Sequence, residues 1–368
     1  MTEETVKILV TREWKEKYNE RIRDEIKKFK NLDNNYRAKV IQAEETEDQR
    51  AASEDVEIAV GFPGDFAVKE LGKSPDMRWI QILTAGVDKL INHEHADLLR
   101  ENNVVVTNAS GLHGEIMSEH VLGFMLNLSH RFHLFRDQQH EGEWERLEMD
   151  YIAGKKLTIL GMGAIGREIA VRAKAFDMEV TGVKRDADVE LENADILYPP
   201  AKMKEAVREA DYVVAVLPYT SETEEIIDGE IFSAMPQSSF FINVGRGEIV
   251  DEDDLLSALE EDEIAGAGLD VFQEEPLPED SPFYDLENVI LTPHVAGSMP
   301  DYYDRSLDLF LANLEKYLLA RERVEGLKPG AKPEDKPAAG DAGSGQRDKM
   351  AELLKEKLKN VVSFEKGY

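Results

Sequence analysis

Short apolar runs alternate with charged stretches along the first hundred positions. VKILV (6–10) precedes WKEKYNERIRDEIKKFK, then come AKVIQA (38–43), VEIAVGF (56–62), RWIQILTAG (78–86) and NVVVTNA (103–109). Strands that are apolar at nearly every position, rather than at every second one, are covered on both faces. That is the habit of parallel sheets lying between layers of helices. The pattern predicts one small α/β layer.

From Gly114 to about Gln139 the chain reads EIMSEHVLGFMLNLSHRFHLFRDQQ, too apolar for a helix with one exposed face. It is expected to form a single domain-crossing helix, packed between layers or between subunits. A second α/β series starts at Lys155: KKLTILGMGAIGREIAVRAKAF, MEVTGVKR, DYVVAVLP (211–218), SSFFINVG (238–245), IAGAGLDVF (264–272) and NVILTPHVAG (288–297). Six strands alternating with helices predict a doubly wound dinucleotide fold. After Ser298 a helix is expected over DYYDRSLDLFLANLEKYLLARER. GLKPGAKPEDKPAAGDAGSGQ (326–346) has almost nothing to bury and reads as a linker. DKMAELLKEKLKN, apolar at 350, 353, 354 and 358, reads as a short amphipathic helix before VVSFEKGY.

Composition narrows the chemistry. The 368 residues allow two domains and include no cysteine. Disulfides, thiolate metal sites and a cysteine nucleophile are thereby excluded. Charge is 44 − 75 = −31, which repels nucleic acid and anionic lipid, so neither is expected as a partner. The acidity also fits the hydrated surfaces of proteins from salt-rich cytoplasm, although the 25 lysines argue against an extreme case. No window approaches the roughly 18 apolar residues of a membrane helix, and MTEETVKILV lacks a signal-peptide layout. A cytoplasmic location is expected.

Gly161, Gly163 and Gly166 form G-x-G-x-x-G between the strand KKLTIL and a helix. The first glycine permits the turn, the second lets a pyrophosphate approach, and the third lets helix and strand pack closely. About 20 residues on, an NAD-binding fold usually carries an acid for the ribose hydroxyls. Here stand Lys184 and Arg185, which would attract a 2′-phosphate and favour NADP over NAD. Alternatively, both are exposed strand-end cations, or Asp186 turns in to serve the ribose.

Three further residues lie at expected strand ends: Arg246 in NVGRG, Glu275 in LDVFQEEP and His294 in LTPHVAG. In open α/β sheets ligands bind at the carboxyl ends of strands, so the three could share one crevice with a nicotinamide. Reduction of a 2-oxo acid needs a hydride donor, a proton and a cation for the carboxylate. His294 would exchange the proton, Glu275 would orient the ring and favour its protonated form, and Arg246 would hold the carboxylate and polarise the carbonyl. Singly, each has an ordinary structural alternative: a satisfied histidine, a surface ion pair, one acid in an acidic run.

TAGVDKL, NASGLHGEIMSEH, LTILGMGAIGREIA, AVLPYTSETEEII, FFINVGRGEIVDEDDL, GAGLDVFQEEPLP and NVILTPHVAG together resemble the D-isomer-specific 2-hydroxyacid dehydrogenase family over roughly residues 55 to 320. The resemblance implies a doubly wound Rossmann nucleotide domain (109–297) inserted into a smaller flavodoxin-like α/β substrate domain (1–108 and 298–368, with a flexible insertion over 326–359). It implies an active site in the interdomain cleft and a homodimer acting on a small 2-oxo or 2-hydroxy acid. The family's arginine, glutamate and histidine fall on Arg246, Glu275 and His294. Its cofactor contacts fall on the loop Gly161, Met162, Gly163, Ala164, Ile165 and Gly166, on Leu217, Pro218 and Thr223, on Val244, Gly245 and Asp270, and on Ala296 and Gly297 in the turn after His294. Its carboxylate-binding turn falls on Ala85 and Gly86, beside Arg246 and His294.

The NAD-selecting aspartate of the family is replaced by Lys184. Formate dehydrogenases resemble the family but carry glutamine where Glu275 stands, and phosphoglycerate dehydrogenases often append a regulatory domain. A nucleotide-sensing corepressor of the same fold remains the rival from another class. His93-Glu94-His95 and His130/His133 lack the spacing or the third ligand of a metal site, and no metal is expected.

Overall fold

The computed structural model describes residues 3–11, 16–29, 31–32, 35–43, 45–53, 56–325 and 344–364. The chain divides into two compact units, Met1–Leu112 with Asp301–Tyr368, and His113–Pro300.

In the first unit the strands are β1 (Glu3–Val10), β2 (Asn35–Gln42), β3 (Ile58–Gly61), β4 (Trp79–Ile82) and β5 (Val105–Thr107). All pairings between them are parallel, in the order β2-β1-β3-β4-β5. This is the flavodoxin-like order. Alternate residues serve opposite faces. Val6, Ile8, Val10, Ile58, Val60 and Trp79 meet the helices Glu16–Glu25, Tyr302–Glu325 and Ser344–Lys357. Leu9, Ala59, Ile80, Ile82 and Val106 meet Val68, Leu71 and Leu99 on the other side. Every residue of β3 and β4 is buried, which is why these strands lack an alternating pattern. Trp79 stacks on Phe310 and Tyr317 at 5.3 and 5.7 Å, and its indole N–H donates to Thr107 (2.8 Å).

The C-terminal segment departs from the expected flexible insertion. The linker reading over 326–346 falls outside the described residues as far as 343. The remainder of the supposed insertion, 344–357, is a helix whose Met350, Ala351 and Leu354 enter the first unit's core together with Leu358. The chain then returns to the sheet edge, where Val361 bridges Thr107 and the Val362 N–H donates to Val106 (2.9 Å). A helix with a buried apolar stripe gains more from packing than a mobile one can.

In the second unit the strands are β6 (Lys156–Leu160), β7 (Glu179–Val183), β8 (Ile196–Tyr198), β9 (Tyr212–Ala215), β10 (Phe240–Asn243), β11 (Gly266–Leu269) and β12 (Val289–Leu291), in the parallel order β12-β11-β10-β9-β6-β7-β8. This doubly wound order reverses between β6 and β9, and the carboxyl ends of those two strands mark the crevice where such sheets bind ligands. The strand beyond the expected six, β8, is three residues long with Ile196 half exposed, too short and too wet to register as an apolar run.

The long helix expected from Gly114 is two helices, Gly114–Ser129 and Phe132–Glu141, both within the second unit. Arg131 adopts a left-handed φ of +54° between them. The first buries Val121, Phe124, Met125 and Leu128, whereas no residue of the second is buried. Core contact, and with it the straight helix, ends at Ser129. No helix among the described residues is long and apolar enough to cross a membrane.

Leu354 is fully buried and Glu352, on the same helix, is exposed. Leu354→Ala is expected to destabilise the first unit by about 2–5 kcal/mol, and Glu352→Ala by less than about 0.5 kcal/mol. Urea denaturation midpoints of the two variants check this.

Candidate active site

The loop after β6 runs from Gly161 to Gly166 into the helix Ala164–Lys174, and its three glycines serve different ends. Gly161 has a φ of +114°, and a Cβ there would lie 2.7 Å from the Val216 carbonyl oxygen. At Gly166 a Cβ would lie 2.2 Å from the Gly161 oxygen, so only glycine lets the helix start this close to the strand. Beside Gly163 a Cβ would meet nothing within 4 Å. That open face sits at a helix N-terminus whose first N–H groups have no intrahelical acceptor, and it fits a dinucleotide pyrophosphate. Ala164 is exposed and Ile165 partly buried beside it. Met162 turns inward: its side chain is buried against Gly182 and its N–H donates to the Val183 oxygen (3.2 Å).

Lys184 and Arg185 follow β7 directly. The Lys184 N–H donates to Tyr198 (3.0 Å), and Lys184 is partly exposed. Arg185 is half exposed and lies 3.8 Å from Glu222, which answers part of its charge. After β9, Leu217 lies across two glycines: its oxygen would be 2.9 Å from a Cβ at Gly245, and its Cδ2 3.3 Å from one at Gly161. The ends of β6, β9 and β10 are therefore drawn together by backbone contact. Thr223 braces the same loop, donating to the Pro218 oxygen (2.7 Å) and accepting from the Thr220 N–H (2.8 Å).

The buried Val244 follows β10. The Asn243 side chain then shapes the turn, accepting from the Gly245 N–H and donating to the Arg246 oxygen, each at 3.0 Å. The Arg246 guanidinium donates to the Gly245 oxygen (2.8 Å). At Gly247 a Cβ would lie 1.9 Å from the Phe272 carbonyl carbon. This glycine lets the turn carrying Arg246 lie flat against the loop that carries Glu275.

Glu275 and His294 meet. The His294 Nδ1 lies 2.7 Å from one carboxylate oxygen of Glu275, and the other accepts from the Phe272 N–H (3.1 Å). A carboxylate accepts, so Nδ1 carries hydrogen and Nε2 is the atom left to exchange a proton with a substrate. His294 has a left-handed φ of +51°, and the buried Asp270 carboxylate holds the turn that follows it. Asp270 accepts from the Thr292 hydroxyl (2.5 Å) and from the N–H groups of Val295 and Ala296 (both 2.9 Å), while its own carbonyl takes the His294 N–H (2.8 Å). Asp270 is thus a support beneath the turn rather than a surface group.

Three side chains without a sequence signal join this cluster. His120 lies 3.1 Å from the Thr292 hydroxyl, and burial lowers its pKa against the opposing pull of Asp270. His113 packs 3.1 Å from where a Gly297 Cβ would be. Burial first, and then the Arg246 charge, lower its pKa. Asn243 is the third. No spacing rule marks His113 or His120, because each works through a neighbour from a distant part of the chain, whereas Asn243 acts within its own turn.

Ala85 and Gly86 belong to the first unit, after β4. Asn108 donates to the Ala85 oxygen (2.8 Å) and the Thr84 hydroxyl to the Gly86 oxygen (2.6 Å), so the turn is held by its carbonyls. Among the described residues no group of three or more His, Cys, Asp or Glu could hold a metal ion.

Residues 122–296 match the NAD binding domain of the D-isomer specific 2-hydroxyacid dehydrogenases. A glyoxylate reductase from Pyrococcus horikoshii is 32% identical over 279 residues, spanning 70% of this chain and 80% of its own length. A D-isomer specific 2-hydroxyacid dehydrogenase family protein from Aeromonas salmonicida superposes with a TM-score of 0.71 at 28% identity, covering 99% of this chain and 100% of that one. An NADPH-dependent glyoxylate/hydroxypyruvate reductase from Sinorhizobium meliloti, solved with NADP and malonate, gives 0.65 at 25% identity over 85% of this chain and 93% of its own. With sheet order, glycine loop and relatives in agreement, the chain belongs to the D-isomer specific 2-hydroxyacid dehydrogenase family.

Proposed function

We propose that this enzyme reduces small 2-oxo acids to 2-hydroxy acids, of D configuration where the product is chiral, glyoxylate and hydroxypyruvate foremost, with NADP(H) preferred over NAD(H). The observation that carries the reading is the 2.7 Å contact between His294 and Glu275, on a loop packed against the turn of Arg246. Bound at the glycine loop, the nicotinamide coenzyme supplies the hydride. Gly163 would admit the pyrophosphate, and Leu217, Pro218, Thr223, Val244, Gly245, Ala296 and Gly297 would hold the rest of the coenzyme. Arg246 holds the substrate carboxylate and polarises the carbonyl. His294 delivers a proton from Nε2 to the carbonyl oxygen while Glu275 holds Nδ1–H and steadies the imidazolium. Ala85 and Gly86 would offer backbone N–H groups to a substrate carboxylate, making Met1–Leu112 with Asp301–Tyr368 the substrate domain and His113–Pro300 the nucleotide domain.

Cofactor preference rests on Lys184 and Arg185, where an acid would repel a 2′-phosphate. The Sinorhizobium reductase, solved with NADP, supports the same choice. The reading includes a cytoplasmic, salt-adapted homodimer. The net charge of −31 supports salt adaptation, and Trp144 (96% exposed) and Tyr151 (76%) offer apolar surface for a second copy.

A panel of 2-oxo acids, followed by absorbance with NADPH and NADH in parallel, tests the activity. Turnover of at least one member is expected, and tight nucleotide binding without turnover would turn the reading into a sensor. His294→Ala is expected to lower kcat by roughly 10²–10⁴-fold with NADPH affinity nearly unchanged, as single-turnover rates and a binding titration will show. Lys184→Asp combined with Arg185→Ala is expected to shift the ratio of kcat/KM for NADPH and NADH toward NADH by about tenfold to a hundredfold. An unmoved ratio would remove the basic pair from cofactor selection.

A further inference from the structure

The first unit holds a polar cavity, of about 260 Å³, at the amino-terminal edge of its sheet. β1, the residues leading into β3 and β4, and the helices Tyr302–Glu325 and Ser344–Lys357 form its walls. Lys7, Arg78, Arg321 and Arg347 line it against Glu57 and Asp76. Four cations to two acids reverse the balance of a chain with 44 basic and 75 acidic residues.

Arg321 lies 3.2 Å from Glu57 and 3.6 Å from the buried Glu4, and the fully buried Tyr317 hydroxyl donates to Glu57 at 3.0 Å. Arg78 and Arg347 are held differently. Both donate to the Met77 carbonyl oxygen, at 3.0 and 3.2 Å. Arg78 also reaches the Pro75 oxygen (2.7 Å) and Arg347 the Ser74 oxygen (3.5 Å). Two guanidinium groups thus converge on one neutral oxygen, and among the described residues no carboxylate pairs with either. The Arg347 Nε is buried without a hydrogen-bond partner among the described residues. Burial, and next the Arg78 charge, disfavour the charged form of Arg347, against the smaller opposing pull of Asp76 and Asp348. An arginine does not give up its proton to relieve that, so an anion entering the cavity meets two charged guanidinium groups.

We propose that this cavity binds a small, multiply charged phosphate-type oxyanion, either free phosphate or the phosphoryl group of a small metabolite, held by Arg78 and Arg347. Planar guanidinium forks match the oxygens of phosphate, and a cavity of this size admits such a group with or without a small organic remainder. The site lies at the opposite end of the strands from the edge where open α/β sheets carry out their ligand chemistry. Arg347 comes from the C-terminal helix and Arg78 from the sheet, so the anion ties the two together. Its occupancy raises the stability of the first unit by mass action. The proposal stands apart from the reductase reading.

Calorimetric titration of the full chain with sodium phosphate, at ionic strength held constant with chloride and without nucleotide, tests it, together with melting curves in the same buffers. The expected result is saturable binding and a melting midpoint that rises with phosphate but not with chloride. Arg347→Gln and Arg78→Gln should each weaken binding at least tenfold, with circular dichroism confirming that each variant folds. Lys184→Asp with Arg185→Ala should leave this binding intact, which separates it from any phosphate held near the glycine loop. Arg347→Gln should also keep NADPH-dependent turnover in phosphate-free buffer. Glycerol phosphate binding more tightly than inorganic phosphate assigns the site to a phosphoryl metabolite, and the reverse order assigns it to the free ion. No binding at tens of millimolar phosphate, or an unchanged response in both arginine variants, overturns the proposal.

Discussion

A buried carboxylate under the turn after β12 holds the candidate site in shape. Asp270 is 1% exposed and takes three donors, a hydroxyl and two backbone N–H groups, while its carbonyl takes the His294 N–H. Hydrogen bonds to a charged acceptor in a dry setting are among the stronger ones available to a protein. They offset the left-handed φ of His294, a conformation that disfavours any residue bearing a Cβ by about 1–2 kcal/mol. Released from Asp270, the turn would relax and carry the imidazole away from Glu275. His120 and Thr292 extend this support outward from the carboxylate.

Close backbone approach does the rest. Leu217 lies against Gly161 and Gly245, and Gly247 lies against Phe272. At each contact a methyl group would push one strand-end loop off another. Glycine therefore sets how near the phosphate loop, the Arg246 turn and the Glu275 loop can come, and that spacing decides whether three separate side chains act on one substrate.

The first unit solves a different problem. Its sheet is covered on one face partly by residues far along the chain, Leu307 to Leu318 and Met350 to Leu358. The C-terminal helix completes that core, and its return along β5 covers an edge that would otherwise stand open. The same packing carries Arg347 to Arg78, so a helix recruited for burial also brings two like charges together.

Much of this was legible in the residues alone. Continuous apolar runs give parallel strands, a glycine triplet between strand and helix gives a phosphate loop, and Arg246, Glu275 and His294 stand at strand ends because each follows an apolar run by a few positions. These are local regularities, set by periodicity and by conformations that only certain residues adopt. The break at Arg131, the burial of Met162 and Asp270, the roles of His113 and His120, and the docking of 344–357 were not legible. Each depends on what a residue meets from a distant part of the chain: a helix stops where its core contact stops, and a carboxylate becomes a support only when donors from another loop surround it. The sequence determined which elements form and which chemical groups stand at their ends, because those follow from neighbours along the chain. Tertiary structure alone decided which groups touch, because contact distances depend on packing between segments that no spacing relates.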